Sequence, residues 1–461
     1  MNGRMPISLL RNYLSEDTPL WLRLLLAIGL LLFNIALAFV AAQRQMVIVI
    51  YLILGASLVF TFLRWPPLGL IAASLAGAVV PYLGPSGLNV TTILVALLLV
   101  TWLLDMIVRQ RQIRLVPSRT IWLLLAFLGV AVFSFGVGQL SWFTFAQHAP
   151  LGAQLGGLSI IALSAGAYLL AANQVRELVW LRRMTWAFLV LAGLILVFRA
   201  VLPALGLSTE NLFRQMGSVF FIWTVAMAFS QAAFNRDLHP RWRWALGGLV
   251  LVTLYVLYFL KFADKSGWMP ALICIAAIIG FRSWRAWLVL VPLAALSALY
   301  LVTEGFGPDQ YSLTTRFDAW SIMLQIIKIN PIWGLGFANY YWYTPLFPIR
   351  GYAVSFNSHN NYVDIVAQTG LVGLVCFLFF LWEVGRLGWR LRETVPSGFA
   401  QAYVYGALGG LAGMVVAGMM GDWILPFFYN LGLNGFRSSM LGWLFLGGLV
   451  SLEQMNKSRQ I

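Results

Sequence analysis

The chain has 461 residues, of which 61% are hydrophobic and only 10% are charged. About a quarter of the residues of a soluble domain are charged, so this composition excludes an ordinary soluble enzyme. The formal charge of +15 does not indicate nucleic-acid binding, because most lysines and arginines fall in loops where membrane topology accounts for them. The sequence therefore predicts a multi-pass membrane protein.

Apolar runs of about 20 residues, enough to cross a hydrocarbon core about 30 Å thick, recur along the whole chain. They predict an all-α fold of about 12–14 transmembrane helices in a single integral membrane domain, residues 1–461. In chain order the predicted spans are 20–42, 46–63, 66–84, 88–108, 119–137, 155–172, 185–205, 217–234, 244–262, 266–281, 286–303, 369–387, 399–420 and 437–452.

Every second loop of this arrangement is basic, which indicates the orientation of the chain. The arginine clusters fall within residues 109–119, 176–183, 236–243, 282–285 and 386–392. Since lysine and arginine mark the cytoplasmic side, both termini are predicted to be cytoplasmic. The long loop 304–368 then faces outward, and we expect the active site there.

Cations on the outward side run against this topology rule and are therefore candidates for function. The predicted outward set is Arg44, Arg199, Arg214, Lys261, Lys265, Arg316, Lys328, Arg350 and Arg437. Those near span ends are explained by side chains that reach the lipid headgroups. Three others, Arg214, Lys265 and Arg316, lie beside turn or helix-start signals and could converge on an anion.

The segment from Thr315 to Asp318 is a variant of the capping box that opens a helix. Apolar residues recur from Phe317 at helical spacing, which predicts an amphipathic interfacial helix that ends before Pro331. Its first turn would present free N–H groups beside Arg316 and would suit a phosphate. The alternative is a surface helix whose arginine pairs with Asp318 or a headgroup.

Aromatic and polar residues crowd the rest of this loop. The aromatic candidates for substrate binding are Tyr340, Tyr341 and Trp342, although an interfacial aromatic belt explains them equally. His359 lies in a polar island between Asn357 and Asn360, and a neutral imidazole there could deprotonate an attacking hydroxyl. The alternative is a loop histidine that hydrogen-bonds its asparagine neighbours.

Other chemistries find little support. The sequence has no HExxH helix, Walker loop or Gly-x-Ser-x-Gly elbow, and its acids on the outward side are scattered without evident pairing. Cys274 and Cys376 fall inside predicted spans and are expected to be apolar packers. A transporter or flippase for a lipid-linked sugar or small anion remains an alternative, although the span interiors carry almost no charge.

The signature elements of loop 304–368 resemble those of the O-antigen ligase and O-antigen polymerase superfamily. They are Arg316 with Trp320, Asn330-Pro331, Gly334-Leu335-Gly336, Ser358-His359-Asn360-Asn361-Tyr362 and Thr369-Gly370-Leu371-Val372-Gly373-Leu374. Arg214 before a span resembles a second arginine site of the family. Lys265-Ser266-Gly267 resembles its Ser-Arg-Gly segment, but a lysine precedes the serine where an arginine would follow it.

The resemblance implies a GT-C-like, inverting glycosyltransferase that needs no metal or other cofactor. It would move a glycan from a polyprenyl diphosphate to a glycan or glycolipid acceptor on the outer face of the cytoplasmic (inner) membrane. Arg214 and Arg316 would bind the diphosphate, and His359 would orient or deprotonate the acceptor hydroxyl. The predicted substrate-binding residues are Lys265, Asn357, Asn360, Tyr340, Tyr341, Trp342 and Arg350.

Overall fold

The computed structural model describes residues 54–81 apart from 56, 59 and 63, and then 84–205, 216–260, 265–300 and 310–460. The chain divides into two compact units, residues 1–65 and 66–461. The predicted span 20–42 and most of 46–63 lie outside the described residues, as do Arg44, Arg214 and Lys261.

The regular elements of the second unit are helices, with only one isolated β-bridge among the described residues. In chain order they are α1 (Pro66–Val79), α2 (Val90–Leu104), α3 (Arg119–Val137), α4 (Leu151–Gln174), α5 (Leu178–Val201), α6 (Ser218–Phe234), α7 (Pro240–Phe259), α8 (Lys265–Arg282), α9 (Trp284–Tyr300), α10 (Gln310–Ile327), α11 (Asn339–Tyr343), α12 (Asn361–Thr394), α13 (Phe399–Met420) and α14 (Gly432–Gln460).

Among the described residues, eight helices are long and apolar enough to cross a membrane. They are α2 with its continuation to Arg109, α3, α4, α5, α7, α8, α12 and α13, and α1, α6 and part of α9 are shorter apolar helices. The prediction of an all-α, multi-pass membrane protein is therefore confirmed. Cys274 and Cys376 are free thiols, and Cys274 is fully buried, as an apolar packer should be.

Small residues on α13 allow its neighbours to pack closely. Gly409 lies against the backbone of Cys274 in α8, while Gly410 lies against the indole of Trp223 in α6. Helices in lipid associate mainly through such close van der Waals contact, since lipid chains are as apolar as leucine. On the other side α12 packs on both α3 and α13. The end of α13 and the start of α12 thereby meet at one end of the bundle.

Helix α10 differs from its prediction in its start. The chain is already helical at Gln310, so Arg316 lies inside the helix and not beside free N–H groups of a first turn. The capping-box prediction at Thr315 was wrong because an N-cap motif also fits a helix interior when earlier residues continue the helix. Its buried face comprises Ala319, Ile322, Met323, Ile326 and Ile327, whereas Phe317 and Leu324 are exposed.

Gly370 breaks α12 into two helical segments: the first begins at Asn361, and the second begins at the break, where the sequence predicted a span to start. The Gly370 φ of +71° and ψ of −177° lie in a region that is essentially restricted to glycine. The break frees backbone groups on both sides: Leu335 N–H donates to Ala367 O at 2.9 Å, and Leu371 N–H donates to Pro331 O at 2.8 Å. The Gly334–Gly336 segment is therefore fastened to the break by main-chain hydrogen bonds.

We expect Gly370→Ala to destabilise the protein by about 2–4 kcal/mol. A Cβ at this position would collide with the Ile332 carbonyl oxygen, and alanine does not adopt this backbone conformation without strain. Thermal unfolding in detergent measures the change. Gly129→Ala on α3 is the matched control, because a Cβ there meets no atom within 4 Å. Equal midpoints for the two variants would contradict the role given to the break.

Candidate functional site

A cavity of about 590 Å³ opens where α10, the loop before α12 and the loop after α13 meet. Its lining residues are Thr315, Arg316, Ala319, Tyr341, Ile349, Ser355, Phe356, Asn357, Ser358, His359, Tyr429 and Asn430. Arg316 and His359, which are 43 positions apart in the sequence, share this cavity. The tertiary structure thus brings together the two described residues that were predicted to be catalytic.

Arg316 extends from α10 across the cavity wall to the end of α13. Its Nη1 donates to the carbonyl oxygen of Met420 at 2.9 Å. Carbonyl groups at a helix C-terminus carry partial negative charge and attract a cation. The guanidinium also acts electrostatically on His359 and Asp422. These contacts hold the guanidinium at the cavity.

The loop that carries His359 is held on both sides. The Nε1 of Trp320, one turn after Arg316 on α10, donates to Ser358 O at 2.8 Å. On the other side, Asn360 Oδ1 accepts from Tyr362 N at 2.9 Å and caps α12. His359 itself has a φ of +49°, an uncommon conformation for a residue other than glycine. These contacts explain how the loop keeps the imidazole at the cavity.

His359 is exposed at the cavity surface, but protein atoms remove part of the water around its imidazole. This desolvation, and secondarily the charge of Arg316, lower the pKa of His359 below its usual value of 6.5. A cation and a low-dielectric environment both disfavour the imidazolium form. The imidazole is therefore neutral at neutral pH, which is the form that can accept a proton.

Two buried carboxyl groups lie behind the cavity, contrary to the expectation of scattered acids. Asp364 Oδ1 accepts from Tyr340 Oη at 2.5 Å and from Ser358 Oγ at 2.7 Å. Asp422 acts electrostatically on Asp364. Burial raises the pKa of Asp422, although hydrogen bonds from its own loop and the charge of Arg316 act to lower this pKa. Neither carboxyl group lines the cavity, so both belong to its support.

Of the three predicted aromatic residues, Tyr341 reaches the cavity. It stacks on Tyr429 with ring centroids 4.5 Å apart. Trp342 donates from Nε1 to Tyr429 Oη at 2.8 Å and so positions the second ring. Tyr340 is fully buried, stacked on Phe427. Tyr340 and Trp342 thus support the aromatic wall, whereas Tyr341 and Tyr429 form its surface.

The other predicted binding residues have different surroundings. Asn357 lines the cavity, and Asn360 caps α12. The Arg350 guanidinium contacts Asp318 and Thr314 on α10. Lys265 begins α8 and is not among the residues that line this cavity. Arg214 lies outside the described residues, so its role as a diphosphate ligand stays a prediction.

The loop between α13 and α14 is the part of the site that the sequence did not indicate. Tyr429 and Asn430 line the cavity, and Asp422 Oδ1 accepts from Asn430 Nδ2 at 2.7 Å. Asn361 holds the loop in place, because its amide donates to Leu425 O at 2.7 Å and accepts from Ile424 N at 2.8 Å. The only signal in the sequence was an aromatic and polar run far from the signature elements.

Comparison with known proteins gives one family. Residues 216–378 match the model of the family described as O-Antigen ligase, while no curated protein matches the chain significantly. The matched segment contains Arg316, the glycine segment at residues 334–336, His359 and Gly370, but it ends before the loop of Tyr429. Residues 216–378 of this multi-pass membrane protein are therefore similar to the O-antigen ligase family, and the match supports the O-antigen ligase and polymerase superfamily and a glycosyltransferase type of activity.

Proposed function

We propose that the protein transfers a glycan from a polyprenyl diphosphate, such as undecaprenyl diphosphate, to an acceptor hydroxyl, with inversion at the anomeric carbon. The observation that carries the proposal is the presence of Arg316 and His359 in the same cavity. A guanidinium suits the diphosphate that leaves, and a neutral imidazole suits the hydroxyl that attacks.

In the proposed reaction the acceptor oxygen forms a bond to the anomeric carbon while the bond from that carbon to the diphosphate oxygen breaks. The hydroxyl proton moves to a ring nitrogen of His359. The electron pair of the broken bond stays on the diphosphate, whose negative charge grows. A direct displacement of this kind inverts the anomeric configuration and needs no covalent enzyme intermediate.

Arg316 would stabilise the charge that develops on the leaving group. Its guanidinium is permanently protonated and can donate two parallel hydrogen bonds to a phosphate. Because Met420 O and nearby groups orient it in advance, little reorganisation is required as the bond breaks. We propose that it acts without a divalent metal, with Arg214 as a second ligand of the diphosphate.

The remaining lining residues would hold sugar. The exposed faces of Tyr341 and Tyr429 can pack against the C–H groups of a pyranose ring, and Asn357 and Asn430 offer amides to its hydroxyl groups. In the proposed orientation both chain termini are cytoplasmic and the cavity faces the extracytoplasmic side of the inner membrane. That side agrees with the basic loops found in the sequence.

The proposal is tested in a transfer assay with purified protein in the presence of EDTA. The assay contains undecaprenyl-diphosphate-linked oligosaccharide as the donor and candidate glycans and glycolipids as acceptors. We expect equimolar transferred glycan and undecaprenyl diphosphate, with the anomeric configuration opposite to that of the donor by NMR. Loss of transfer in EDTA, restored by Mg²⁺, would refute metal independence. Retained configuration would refute direct displacement. Transport of the lipid-linked sugar across a proteoliposome membrane, without transfer to any acceptor, would favour a flippase.

A further inference from the structure

The segment 345–357, here called the strap, forms one wall of the cavity. Ile349, Ser355, Phe356 and Asn357 of the strap line the cavity together with Arg316. The base of the strap is closed by a hydrogen bond from Phe356 N to Thr344 Oγ1 at 3.3 Å. The strap thus leaves the protein core at Thr344 and returns to it just before His359.

A tight turn at Arg350 and Gly351 shapes the strap. Ile349 N–H donates to Tyr352 O at 3.0 Å, and Tyr352 N–H donates to Ile349 O at 2.9 Å. Arg350 has a φ of +50° and Gly351 a φ of +87°. Turns with two positive φ values favour asparagine or aspartate followed by glycine. An arginine carries a steric cost at the first position, which suggests a use for its side chain.

That side chain fastens the strap to α10. Arg350 Nε donates to Asp318 Oδ2 at 2.7 Å, and its Nη2 donates to Thr314 Oγ1 at 2.8 Å. Thr314 and Asp318 are one turn apart on the helix that carries Arg316. Two contacts on one helix fix the direction of the guanidinium as well as its position.

The strap also carries a buried amide at the cavity wall. Asn357 lines the cavity and is only 8% exposed, and its buried Nδ2 has no hydrogen-bond partner among the described residues. A buried amide without a partner costs free energy unless a bound molecule supplies an acceptor. The strap combines this amide with the apolar side chains of Ile349 and Phe356, as suits a sugar with hydroxyl groups and C–H faces.

We propose that the strap binds the glycan through Asn357 and that Arg350 is the positioning residue that holds the strap against α10. The proposal rests on the proposed function, since it assigns the glycan to this wall of the same cavity. Fastening to α10 gives the Asn357 amide a fixed place relative to Arg316. Loss of the fastening should therefore weaken glycan binding more than it slows the chemical step.

Hydrogen–deuterium exchange of residues 345–357 tests the fastening directly. Exposed ion pairs contribute about 1 kcal/mol or less, so we expect Arg350→Ala or Asp318→Ala to speed exchange there by up to about fivefold. The double variant Asp318→Arg with Arg350→Asp should restore slow exchange. Lys328→Ala, an exposed cation at the end of the same helix, is the control and should change nothing. Unchanged exchange in both single variants would overturn the fastening.

Glycan binding is tested in the same experiment by adding the undecaprenyl-diphosphate-linked oligosaccharide. We expect it to slow exchange in the wild-type strap, and to do so much less in Asn357→Ala. In the transfer assay Arg350→Ala should raise KM severalfold and leave kcat within about twofold. Unaltered exchange on addition of the glycan would overturn its assignment to the strap. Absence of transfer by the wild type would instead refute the proposed function. The two failures can be told apart, because the exchange measurement does not depend on transfer.

Discussion

Arg316→Ala is expected to slow glycan transfer by about 100- to 1,000-fold, the usual effect of removing one oriented donor from a site where charge develops. The guanidinium lines the cavity and is oriented by Met420 O, so its loss removes an aligned positive charge. Arg316→Lys should recover only part of the rate, because an ammonium group cannot bind a phosphate in parallel bidentate fashion. Single-turnover release of the polyprenyl diphosphate measures both variants.

Lys328→Ala is the control for Arg316, since Lys328 is an exposed cation just after the same helix. It should transfer glycan at the wild-type rate. Thermal unfolding separates the loss of catalysis from a loss of stability, because the hydrogen bond from Arg316 to Met420 O should contribute about 1.5–3 kcal/mol to folding. Transfer by Arg316→Ala at more than a third of the wild-type rate would refute its role at the leaving group.

His359→Ala is expected to reduce kcat by about 100- to 10,000-fold, the range for loss of a general base. The pH dependence gives a more specific test. Partial desolvation by neighbouring protein atoms and, secondarily, the Arg316 charge lower the pKa of His359 below 6.5. Because the neutral form is active, kcat/KM of the wild type should fall with decreasing pH, with its acid limb below pH 6.5. An acid limb well above that value would contradict the assignment.

NMR titration of the histidine ring provides the control that does not need activity. The chain has only three histidines, and the spectrum of His359→Gln identifies the signal of His359. Arg316→Ala removes a charge that disfavours the imidazolium, so it should raise the pKa of His359 relative to the wild type. An unchanged or lower pKa in that variant would show that the two side chains do not interact as described.

The glycine signature could be recognised in the sequence, but its structural role could be explained only from the structure. Gly334, Gly336 and Gly370 were recognisable as a pattern, but local sequence does not show which backbone contacts require these glycines. The structure shows these contacts: main-chain hydrogen bonds join residues 335 and 336 to carbonyl groups freed by the break at Gly370. Such pairing joins segments about 30 residues apart, and local propensity does not specify it.

Local sequence patterns also did not identify the residues that pack behind the cavity and hold its lining in place. The amphipathic pattern predicted helix α10, but its predicted first residue was wrong, and packing against α12 and the aromatic wall decides which residues the protein buries. Asp364 and Asp422 lie 58 positions apart in the sequence. Their proximity and the place of Tyr429 follow from how the loop after α13 folds over α12.

The sequence by itself predicted the all-α membrane class, most helix positions, the resemblance to the O-antigen ligase family and the candidate pair Arg316 and His359. These follow from hydrophobic run length and residue chemistry, which are local properties that the bilayer makes decisive. Only the tertiary structure decided that Tyr341 faces the cavity while Tyr340 is buried, that Arg350 contacts Asp318, and that Asn357 has an unpaired amide. Those features depend on contacts between residues distant in sequence, whose geometry is set by the packing of whole helices.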